Sequence, residues 1–229
     1  MDIFNKRDLE GELINWELYK AYGHFNLCFE AVVATFREFL IEMVRLSYGF
    51  DVDWEDPETE DVVDSRLQDR LIKIILHDDG ANAIIEKCRS CFFDMANPET
   101  QKVLRENDVE PLKISQEFLT IGDLIFKRSL ELVKLRNVII HSHYEGVIYN
   151  ILPIRKLQGK KNVRTSKGFE ERTYDLSVDY LNSIIMQIEY LEDVTHKLCY
   201  YTTCFVENEE FDTDTINKLN HMDFKLPKS

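Results

Sequence analysis

Apolar residues recur along most of this chain at intervals of three and four, the period of an α-helix. The longest such run covers residues 8–49, with Leu13, Ile14, Trp16, Leu18 and Tyr19 before Gly23 and Phe25, Leu27, Phe29, Val32, Val33, Phe36, Phe39, Leu40 and Met43 after it. No proline interrupts it. So apolar a helix must pack on at least two sides, and Gly23 is the candidate break. Two shorter helices are predicted near 62–77 and 81–95, separated by the turn Asp78-Asp79-Gly80, and Asn97-Pro98 closes the second. Ser115 followed by Glu117 reads as a cap with early acid and opens a helix that runs to about Ser142. The last long helix is predicted over 176–207, where Leu181, Ile184, Ile188, Leu191, Val194 and Leu198 keep the period. Ser177 is its N-cap, and Asp179 sits on the positive helix end.

After Gly146 the period changes. Val147–Leu152 reads as a short strand, and Glu171–Asp175 as a return strand antiparallel to it. The expected fold class is therefore mainly α, a helical bundle with a small β-hairpin insertion before the last long helix. A single domain over 1–229 is expected. It carries an acidic loop at 51–64, a basic hairpin-like insertion at 147–175 and a loose C-terminal tail at 208–229.

The 229 residues are 44% apolar, enough for a sizeable core, with a net charge of −14 and a pI near 4.9. Such a charge predicts weak non-specific binding to nucleic acid, because phosphate contacts supply most of that affinity. The acidity peaks at 51–64, where Asp51, Asp53, Glu55, Asp56, Glu58, Glu60, Asp61 and Asp64 surround Trp54 and Pro57. A calcium loop would need an internal glycine and a closing glutamate, so this reads as a solvated loop. The opposite extreme is one basic block, Arg155, Lys156, Lys160, Lys161, Arg164 and Lys167, with Arg172 just beyond. It reads either as a solvated mobile loop or as an arm that holds RNA phosphates.

No apolar run approaches the ~18 residues of a membrane span, and Met1–Asp8 lacks the apolar core of a signal peptide. Five cysteines without such a signal predict reduced thiols in a cytoplasm. Cys88-Arg89-Ser90-Cys91 has no second cysteine pair to complete a zinc site, so it reads as buried structural thiols. No metal and no cofactor are expected. His196 stands alone and reads as structural or exposed.

The chemistry concentrates in 130–144, Leu-Glu-Leu-Val-Lys-Leu-Arg-Asn-Val-Ile-Ile-His-Ser-His-Tyr. An arginine inside so apolar a run must be paired or reach solvent, since a guanidinium cannot shed its proton. Glu30, among the aromatics of the first helix, is either a rim carboxylate or a carboxylate that pairs Arg136 or orients a histidine. On an ideal helix Asn137 and His141 share a face, while Arg136 and His141 stand roughly 140° apart. The two converge more easily if the helix ends near His141, or if a second copy of the chain contributes.

Arg136-Asn137-x-x-x-His141 resembles the R-N-x-x-x-H signature of the HEPN superfamily (higher eukaryote and prokaryote nucleotide-binding domains). The order of a helix closed by the motif, then a hairpin, then a final long helix is also similar to that family. The resemblance implies a small helical domain, often a homodimer, in which the arginine and histidine of two protomers face each other. Many such domains are metal-independent endoribonucleases. Some pair with a nucleotidyltransferase antitoxin that modifies a tyrosine two residues after the histidine. Here that position is His143, and Tyr144 follows one residue later.

In such a reaction the RNA 2′-oxygen attacks the adjacent phosphate and leaves a 2′,3′-cyclic phosphate and a 5′-hydroxyl. A histidine moves the protons, for ~10²–10⁴-fold in rate, and an arginine holds the phosphate bidentately. Acid and base would be His141 from each of two protomers, face to face across a two-fold axis, or His141 and His143 of one chain. The catalytic candidates are thus Arg136, Asn137, His141 and His143. The substrate-binding candidates are Tyr144, Arg155, Lys156, Lys160, Lys161 and Arg164. The expected partners are RNA, a second copy of the chain and a cognate antitoxin, with no membrane, in a toxin or antiviral effector. The alternative is a non-catalytic helical module that binds a nucleotide or a protein partner.

Overall fold

Two serines begin two of the long helices, as their positions predict. The Ser115 hydroxyl accepts from the Phe118 amide at 3.1 Å, and the Ser177 hydroxyl accepts from the Tyr180 amide at 3.1 Å. Each satisfies an amide that the first turn leaves without a helical partner. The computed structural model describes residues 6–47, 80–100, 102, 114–145, 156–165, 168–203, 211 and 213–226. The acidic loop 51–64, the helix expected at 62–77, the strand expected at 147–152 and Arg155 lie outside the described residues.

The protein is mainly helical. Helix α1 is Lys6–Ser47, α2 Ala81–Met95 and α3 Gln116–Ile140. Strands β1 (His143–Glu145), β2 (Lys156–Thr165) and β3 (Gly168–Ser177) follow, then α4 (Val178–Thr203) and α5 (Thr213–His221). The helix expected at 81–95 is α2. Helix α1 runs unbroken through Gly23, whose roughly 1 kcal/mol helix penalty is small beside the burial of Leu18, Phe25, Phe29 and Val32 on the same helix. Helix α3 stops two residues short of Ser142.

Two expectations are corrected. Within the basic segment Lys156–Thr165 is strand β2, paired antiparallel over its whole length with β3, where a stretch of loop was one of the two readings; Lys167 lies outside the described residues. The expected return strand Glu171–Asp175 lies inside β3. The tail expected to be loose contains α5, with Leu219 fully buried and Met222 and Phe224 nearly so. Its apolar residues are few, which hides them in sequence, but each finds a buried site.

The chain divides into two compact units, and α1, α3 and α4 each contribute residues to both. The unit formed by 32–130 and 192–221 has an aromatic core. Phe92 lies 5.6 Å from both Phe118 and Phe126, and Phe126 lies 5.6 Å from Phe36, measured between ring centroids. Gly122 makes room for Phe92, because a Cβ there would run into the Phe92 ring. The Cys88 thiol donates to the Phe36 carbonyl at 3.1 Å, and Arg89 pairs Asp123 at 2.8 Å. Arg128 donates to the Leu219 and Asn220 carbonyls at 2.7 and 2.8 Å. These are among the last carbonyls of α5, which have no amide of their own helix to accept from.

The unit formed by 1–31, 131–191 and 222–229 holds the motif and the sheet. The sheet order is β1-β2-β3, all antiparallel. The chain end is tied to α4: Tyr180 Oη donates to the Lys225 carbonyl at 3.1 Å, and the Asp223 amide donates to Gln187 Oε1 at 2.8 Å.

Candidate active site

Arg136 sits on the penultimate turn of α3, between buried Leu135 and Ile139 in sequence. The apolar run answers the arginine in two ways. The guanidinium lies over the Phe29 ring, 5.2 Å from its centroid, and Nη2 stands 3.8 Å from Glu30 Oε1. The arginine side chain is 27% exposed and Glu30 55%, so Glu30 is both a rim carboxylate and the partner of Arg136. Nη1 donates to Asn137 Oδ1 at 3.4 Å, and the buried Nε has no hydrogen-bond partner. Charge-assisted bonds of an arginine to a carboxylate run about 2.7–2.9 Å. At 3.4 and 3.8 Å the fork is held loosely, with donor capacity left over.

The end of α3 is built by residues distant in sequence. The His141 amide closes the last helical bond, to the Asn137 carbonyl at 3.3 Å. The next carbonyl, Val138, would be left without an acceptor role. It instead accepts from Ser142 Oγ and from Tyr174 Oη, the latter at 3.2 Å. Tyr174 is 3% exposed and comes from β3, two strands away. Its ring lies across Gly159 of β2, where a Cβ would collide with it. Glycine here is a requirement of close approach, and the ring covers the backbone that it leaves bare. The hairpin is thereby pinned to the helix end at one carbonyl. His141 emerges on the turn just after that end, exposed to solvent.

No family model, curated protein or solved structure matches this chain.

The structure brings Arg136 and Asn137 into contact and puts His141 one helical turn after Asn137. His143 and Tyr144 are on β1, opposite Lys160 and Gly159 of β2. Register therefore links the second histidine to the basic strand, with the backbone row His143, Lys160, Thr173 crossing all three strands. The basic residues do not share one ladder parity. Lys156, Lys160 and Arg164 are an even number of positions apart, whereas Lys161 falls on the alternate positions with Gly159.

Phe29 and Tyr174 were not candidates from sequence. Phe29 was one apolar residue among many on α1, and nothing marks it as the surface on which Arg136 rests. Tyr174 carried no signal of a partner 36 residues earlier.

Among the described residues no helix is long and apolar enough to cross a membrane.

Proposed function

We propose that this protein is a metal-independent endoribonuclease of the HEPN type, with Arg136 holding the scissile phosphate and His141 moving protons. The observation that carries the reading is the incompletely used guanidinium of Arg136, with long contacts at 3.4 and 3.8 Å, five residues before an exposed histidine. A phosphate offers shorter, bidentate bonds than either present partner, and an arginine resting on an aromatic face is already oriented for them. Asn137 steadies the fork. His143 and the basic residues of β2 would meet the flanking RNA backbone, which an acidic chain must attract locally rather than by its net charge. A second copy of the chain would supply the second histidine, and an antitoxin would be needed if the activity is toxic.

Glu30 favours a second reading. It already neutralises Arg136, and a site that is neutral at rest suits a non-catalytic module that binds a nucleotide or protein partner.

The deciding experiment incubates wild-type protein and His141→Ala with total tRNA and structured RNAs in EDTA and maps the product ends. Cleavage to 2′,3′-cyclic ends by wild type alone supports the nuclease. Equal cleavage by both proteins removes His141 from the chemistry. No cleavage by either folded protein turns the reading to the binding module.

A further inference from the structure

Helix α1 carries a second group of chemistry-bearing residues, separate from Arg136. His24 and Cys28 are four residues apart, hence one turn apart on one face. Glu189 of α4 meets them: its carboxylate is 3.7 Å from His24 Nε2, and one donor atom from each of the three residues lies within 4.8 Å of the other two. Phe29 and Glu30, which hold Arg136, are one and two residues beyond Cys28, roughly 100° and 200° around the helix. The two groups therefore occupy different flanks of α1.

We propose that His24, Cys28 and Glu189 form a zinc(II) site that clasps α1 to α4. This inference is independent of the ribonuclease reading. The donor set selects the ion: imidazole nitrogen, thiolate sulfur and carboxylate oxygen together suit a borderline divalent ion, whereas calcium and magnesium take oxygen alone. Charge agrees. One thiolate and one carboxylate cancel the two charges of zinc, so a site with a buried member, Cys28 at 7% exposure, holds no net charge. Distance agrees as well. Zinc bonds of about 2.0–2.3 Å at tetrahedral angles put donors about 3.3–3.8 Å apart. The His24 and Glu189 side chains, each 52% exposed, can make the remaining movement by rotation. Three protein ligands leave the fourth position to water from the solvent side. Binding turns the Cys28 thiol into a thiolate and releases its proton to solvent, one per zinc.

The test uses the full chain, freed of metal by chelation, and cobalt(II) as the spectroscopic probe. One equivalent of Co2+ should produce tetrahedral d–d absorption together with a sulfur-to-cobalt charge-transfer band, and one equivalent of Zn2+ should displace it. Cys28→Ser should abolish the charge-transfer band, and Cys88→Ser should leave it intact. Since Cys28 is buried, His24→Gln and Glu189→Gln give a second handle at exposed positions. Each should weaken zinc by at least the roughly 10-fold seen when even an outer partner of a metal ligand is lost. Zinc should raise the unfolding temperature of wild type and not that of His24→Gln. The proposal is overturned if wild type gives no charge-transfer band at one equivalent. It is equally overturned if the band survives Cys28→Ser, or if zinc binds the two exposed-site variants as tightly as wild type.

Discussion

The guanidinium of Arg136 lies over the ring of Phe29, 5.2 Å from its centroid, with Glu30 of the same helix turn 3.8 Å from Nη2. One helix thus supplies both an apolar bed and a counter-charge for the cation of another. Arg136→Lys keeps the charge and loses both the planar stack and the fork. In the proposed nuclease this substitution should lower kcat by about 10²–10³, the usual loss for one donor to a developing oxyanion. The melting temperature should move little, since stacking and the long ion pair contribute about 1 kcal/mol or less each. Glu30→Gln should act in the opposite sense and tighten phosphate binding by releasing Arg136. Titration of both variants with inorganic phosphate checks this: unchanged affinity in Glu30→Gln rules out competition between Glu30 and phosphate.

Gly159 and Tyr174 should behave as one unit. Gly159→Ala drives a methyl into the Tyr174 ring and should destabilise the fold by about 1–3 kcal/mol. In a Tyr174→Leu background the same glycine change should be markedly less costly, giving a coupling that a double-mutant cycle in urea can read. Tyr174→Phe removes only the bond to the Val138 carbonyl and should cost about 0.5–1.5 kcal/mol. Additive effects of Gly159→Ala and Tyr174→Leu would show that the ring does not rest on the glycine.

Helix α5 should be an integral part of the fold. Leu219→Ala empties a fully buried site and should cost about 2–5 kcal/mol by chemical denaturation. Arg128→Ala leaves two carbonyls at the end of α5 without their donor and should expose the amides of 213–221 to faster hydrogen exchange. Wild-type exchange rates in that helix would contradict the capping role of Arg128.

Stability should decline on the alkaline side. Burial pushes the Cys88 thiol well above its ordinary value of 9.0, with repulsion from Cys199 and Cys91 adding to it. The folded state holds the proton more tightly than the unfolded state does. Its contribution is therefore complete below about pH 9 and is lost as pH rises beyond that value toward the folded one. Urea midpoints measured from pH 8 to pH 11 should fall, and less steeply in Cys88→Ala, once its own lower starting stability is subtracted. The same slope in both proteins would mean that Cys88 is not the group responsible.

Much of this architecture was legible in the chain. The three-and-four spacing marked α1, α2, α3 and α4, and Ser115 and Ser177 marked two of their starts, because caps and periodic burial act over a few residues and leave a local trace. The charge of Arg136 within an apolar run required a partner or solvent, and Glu30 was within the readings of that requirement. The basic strand was not legible. Lys156–Thr165 lacks the apolar alternation of a strand, and its pairing comes from β1 and β3 rather than from its own residues. Helix α5 escaped for the same reason, since only its buried positions reveal it.

The sequence by itself determined α1 to α4, the starts of α3 and α4, the need to compensate Arg136 and the presence of His141 one turn after Asn137. These follow from spacing, capping chemistry and the cost of a buried charge, all of which are local. Only the tertiary structure decided that Phe29 would bear the guanidinium, that Tyr174 would cross Gly159 to close the end of α3, and that Glu189 would stand beside His24 and Cys28. Each of those depends on which distant surface is brought near. That choice is made by the packing of many side chains at once, and no single residue records it.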